Sequence, residues 1–70
     1  MEVLKAYVER CLRNCAKATA DNRRVWMDQA FGAVQFYVEE HPSSFDEVEQ
    51  MWNGIKPHFE RWVYGCNYNM

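Results

Sequence analysis

Seventy residues make a single domain, at the size where one core only just outweighs chain entropy. A formal net charge of −2 and a pI near 5.6 argue against a dedicated nucleic-acid binder. Three cysteines are an odd set, which argues against a secreted disulfide scaffold and for reduced thiols in the cytoplasm.

Eleven aromatic residues supply the packing that so short a chain needs, and more ring surface than a small bundle can hide. Part of it is therefore expected on the surface, as an association site. The chain opens Met1-Glu2 with no basic leader and has no apolar run long enough to span a bilayer, so a soluble, non-membrane protein is expected.

The first helix is predicted over about residues 2–18. Leu4, Val8, Cys11, Cys15 and Ala18 recur every three or four positions as its apolar stripe, flanked by Val3, Tyr7 and Leu12. Arg10, Arg13 and Lys17 fall on the far side. Thr19, Asp21 and Asn22 suit a turn and an N-cap, which starts a second helix over about 22–40. Its stripe is Met27, Ala30, Phe31, Val34 and Val38, widened by Trp26, Ala33 and Tyr37. A stripe that broad suits a helix packed between two neighbours.

His41-Pro42-Ser43-Ser44 ends the second helix, and Ser44 with Glu47 reads as a capping box opening the third, over about 44–65. Phe45, Val48, Trp52, Ile55, Phe59, Trp62, Val63 and Cys66 hold one face throughout. Asn53-Gly54 and Pro57 interrupt that stripe, so the third helix is expected to be kinked or broken near Pro57. Short connections make neighbours antiparallel, and the predicted fold is all-α, an up-down-up three-helix bundle.

Chemistry is sparse. Cys11 and Cys15 lie four apart, and with Cys66 and one of His41 or His58 they offer metal-ligand types, but both fall on the apolar stripe and read as small buried hydrophobes. A helical Cys-x3-Cys resembles one half of a twin-cysteine hairpin, and the second half is missing. His41 caps a helix end, and Ser43 and Ser44 serve the turn and cap, so neither an enzyme nor a cofactor, metal or small-molecule substrate is expected.

Charge says more. Residues 1–24 hold six basic and three acidic side chains, net +3, and residues 25–70 hold two basic and seven acidic, net −5. The second helix begins with Arg23 and Arg24 and ends with Glu39 and Glu40, and both pairs oppose its dipole with no local gain. A local rule broken twice marks a candidate interaction surface: Arg23, Arg24, Glu39 and Glu40, joined by Phe36, which lies opposite the apolar stripe. The expected function is a non-enzymatic protein-interaction or regulatory accessory protein, self-associating as a homodimer, with the opposed charge halves favouring an antiparallel pair. The alternative is a nucleic-acid accessory factor using the basic surface Arg10, Arg13, Lys17, Arg23 and Arg24.

Overall fold

The apolar spacing folds as three helices, and the computed structural model describes residues 1–65. They are α1 (Glu2–Lys17), α2 (Ala20–Glu40) and α3 (Phe45–Tyr64), the last entered from one 3-10 turn over Pro42–Ser44. The order is up-down-up. The Met1 amino group donates to the Tyr37 hydroxyl at 3.0 Å, bringing the start of α1 to the end of α2. Arg23, at the start of α2, reaches the last turns of both α1 and α3.

The core is built from the predicted phase. Leu4, Val8, Cys11 and Cys15 of α1, Ala30 and Val34 of α2, and Val48, Trp52 and Phe59 of α3 are buried together. Trp52 and Phe59 pack tilted, with ring centroids 5.8 Å apart. α2 is the central helix: α1 lies mainly on it, and α3 leans on both.

Phe31, Phe45 and Trp62 depart from the expected stripe, with 43%, 48% and 39% of their surfaces exposed. Small Ala30 and slim Val34 take the buried position on α2, which leaves Phe31 at the edge, tilted against Trp52 at 5.6 Å. Phe45 sits in the first turn of α3, and Trp62 in its last, where the bundle ends.

The boundaries also differ in detail. α2 starts at Ala20 with Thr19 as N-cap, and Thr19 Oγ1 accepts from the side-chain nitrogen of Asn22 at 3.2 Å rather than from a backbone N–H. Ser44 stands at the N-cap of α3 but makes no capping-box bond. Its backbone, at φ −95° and ψ 7°, is outside the extended region that aims a capping hydroxyl at the first turn, and its own N–H closes the 3-10 turn on His41 O at 2.9 Å.

α3 runs unbroken through Pro57, which decides between the one-helix and two-helix readings. Pro57 and Asn53, whose carbonyl loses its donor to the proline, are both exposed, so water can serve that carbonyl. The core contacts of Trp52 and Phe59 hold the same face before and after it.

Candidate interaction surface

Arg23 is the most heavily used charged side chain of the predicted surface. Its Nε donates to Ala18 O at 3.1 Å and its Nη1 to Trp62 O at 3.2 Å, and the guanidinium lies 5.5 Å from the Trp62 ring centroid. The Arg23 carbonyl in turn accepts from the Cys15 thiol at 3.4 Å. This one arginine therefore ties together the ends of three helices.

The same end explains the charge pattern. Two helix C-termini, of α1 and α3, meet one N-terminus, of α2, so about half an elementary charge of net negative potential remains where Arg23 and Arg24 sit. At the far end two N-termini meet one C-terminus, and Glu39 and Glu40 face a net positive field with Asp46 and Glu47. Charges that oppose their own helix thus suit the bundle. The expectation that they lack a local gain holds for an isolated α2 and not for the packed one.

Arg24, Glu39 and Glu40 are exposed, and Phe36 is 65% exposed on the side of α2 turned toward α1. Phe36 is joined there by a feature that helical periodicity had left as mere flank. Val3, 85% exposed, and Tyr7, 36% exposed, line an open apolar groove with Leu4, Ala33, Phe36 and Tyr37. The available signal was the spacing of Val3, Tyr7 and Arg10 at i, i+4 and i+7, a second stripe beside the core stripe. The Arg10 guanidinium lies 6.0 Å from the Tyr7 ring centroid, and Val3, Ala6, Tyr7, Arg10 and Arg13 share the adjoining surface. The Cys11 thiolate that forms at alkaline pH first, and burial second, push the Tyr7 phenol above its usual range.

Gly32 is one turn before Phe36 on α2. It is exposed, and a Cβ built there would meet nothing within 4 Å, so packing within the chain does not ask for glycine. A second groove, between α2 and α3, is lined by Phe31, Val38, Phe45 and Trp52 and rimmed by Glu39 and Glu49.

Arg10, Arg13 and Lys17 are exposed along α1 as the predicted basic ridge, but Arg23 is drawn in to the helix ends and leaves it. Cys11 and Cys15 are buried, and desolvation pushes both thiols above their usual range. Cys66, the third member of the cysteine set, lies outside the described residues. The His41 backbone N–H donates to Tyr37 O at 2.8 Å and its ring packs on the Tyr37 ring at 4.5 Å. His58 is exposed at a shallow groove between α1 and α3. Among the described residues no cluster of three His, Cys, Asp or Glu is placed to hold a metal ion, and no helix is long and apolar enough to cross a membrane.

Compared with known protein families, with curated proteins and with solved structures, the chain matches none of them.

Proposed function

We propose that this protein is a protein-association module that self-associates through the α1/α2 face. The observation that carries the reading is the contiguous apolar surface of Val3, Tyr7, Ala33 and Phe36, outside the buried core. Scattered exposed hydrophobes are ordinary, but Val3 and Phe36 are among the most exposed large apolar side chains and share one groove. An interface of usual size takes about 800 Å² from each partner, under a sixth of the 5098 Å² surface of this chain.

Sedimentation equilibrium over a range of concentrations tests this. The wild type is expected to form a dimer and Phe36→Asp a monomer with unchanged far-UV circular dichroism. A monomeric wild type overturns the reading. So does a monomer that retards a nonspecific DNA or RNA at low salt and loses that on Arg10→Ala/Arg13→Ala/Lys17→Ala, which would move function to the basic ridge.

A further inference from the structure

On the reading that the α1/α2 face associates, we infer that its occupant is a second copy of this chain turned end for end, with Phe36 of each copy seated on Gly32 of the other and Arg10 and Arg13 of each facing Glu39 and Glu40 of the other. Three observations lead there.

Phe36 and Gly32 are one turn apart on the same exposed face, a large ring beside a missing side chain. A two-fold axis midway between them carries each Phe36 onto the partner's Gly32, so knob and notch are self-complementary, as an isologous interface requires. Glycine inside a helix is destabilising relative to alanine, and no neighbour within the chain asks for it here. A partner ring against the bare backbone does ask for it.

The charges fall on opposite sides of that axis. The axis lies level with Tyr7 on α1, which shares the groove with Ala33 and Phe36. At about 1.5 Å of rise per residue, Glu39 and Glu40 lie about 8–9 Å from it toward one end of the bundle, and Arg10 and Arg13 about 5 and 9 Å toward the other. An end-for-end pair therefore brings both sets of opposite charges together. A parallel pair would set Glu39 and Glu40 on their own copies and Arg10 and Arg13 on theirs, with repulsion at both ends. All four side chains are exposed; Arg10 and Arg13 adjoin the apolar groove beside Tyr7, and Glu40 follows Phe36 by one turn of α2, at the edge where an interface carries its polar rim.

The test is a charge-swap pair read by native mass spectrometry and sedimentation. Arg10→Glu/Arg13→Glu and Glu39→Arg/Glu40→Arg are each expected to dimerise at least tenfold more weakly than wild type. Mixed one to one, they are expected to recover a heterodimer, because both contacts are then attractive again. Gly32→Leu is expected to keep the helical spectrum and lose the dimer. Two reversal variants that dimerise like wild type, or that fail to recover on mixing, overturn the end-for-end arrangement. If Phe36→Asp still abolishes the wild-type dimer in that case, association through this face stands and only its orientation falls. A wild type that is monomeric overturns both.

Discussion

Arg23 of α2 and Trp62 of α3, 39 residues apart in sequence, are joined by a guanidinium to carbonyl hydrogen bond of 3.2 Å and by a cation lying 5.5 Å over the indole ring. With its bond to Ala18 O, Arg23 donates to carbonyls at the C-terminal ends of two helices, where intrahelical donors run out. Its neighbour Arg24 is exposed and makes no comparable contact among the described residues. The pair that looks equivalent in sequence is divided between fold and surface.

Arg23→Ala is therefore expected to destabilise the domain by about 1–2 kcal/mol, and Arg24→Ala by less than about 0.5 kcal/mol. For a domain of this size, about 4–8 °C of melting temperature follows each kcal/mol. Thermal denaturation of the two variants side by side checks the division, and equal melting temperatures would refute it.

Phe59 is fully buried and Phe31 is 43% exposed, although both occupy predicted stripe positions. Phe59→Ala is expected to cost about 3–5 kcal/mol, enough to unfold most of the population of so small a domain. Phe31→Ala loses its tilted contact with Trp52 and part of its burial, about 1–2 kcal/mol. Urea titration of both variants separates the two.

Gly54 is exposed in α3, and a Cβ there would meet nothing within 4 Å. Gly54→Ala is expected to raise stability by about 0.5–1 kcal/mol, since alanine restricts the unfolded chain and fits the helix. A lower urea midpoint for that variant would mean that the helix before Pro57 needs glycine for a reason its surroundings do not display.

Cys11 and Cys15 give the fold a pH limit on the alkaline side. Burial raises both thiols from the ordinary value of 9.0. For a raised folded value the stabilising difference is complete below the unfolded value and is lost as pH climbs through the folded one. Urea midpoints are thus expected to hold from neutrality to about pH 8 and to fall above about pH 9. In Cys11→Ala/Cys15→Ala the fall is expected to be shallower, and an unchanged slope would assign the alkaline loss to other groups.

Much of this architecture was legible in the residues. The three-to-four-residue spacing of Leu4, Val8, Cys11 and Cys15, and of Val48, Trp52 and Phe59, sets which face of each helix is buried, because periodicity is a property of one helix alone. Pro42 marks the break before α3 for an equally local reason. Phe36 stood out of phase with its helix, and the structure places it on the surface.

What only the packed bundle decided depends on which helix ends meet. Arg23, Arg24, Glu39 and Glu40 look misplaced on α2 by itself, yet the antiparallel neighbours invert the field at both ends, and a field summed over three helices has no signature in the pattern of one. Likewise Val3 and Tyr7 are flanking residues on α1 until α2 sets Ala33 and Phe36 beside them. The chain's own spacing determined what is hidden, and the juxtaposition of helices distant in sequence determined which charges support the fold and which apolar surface is left for a partner.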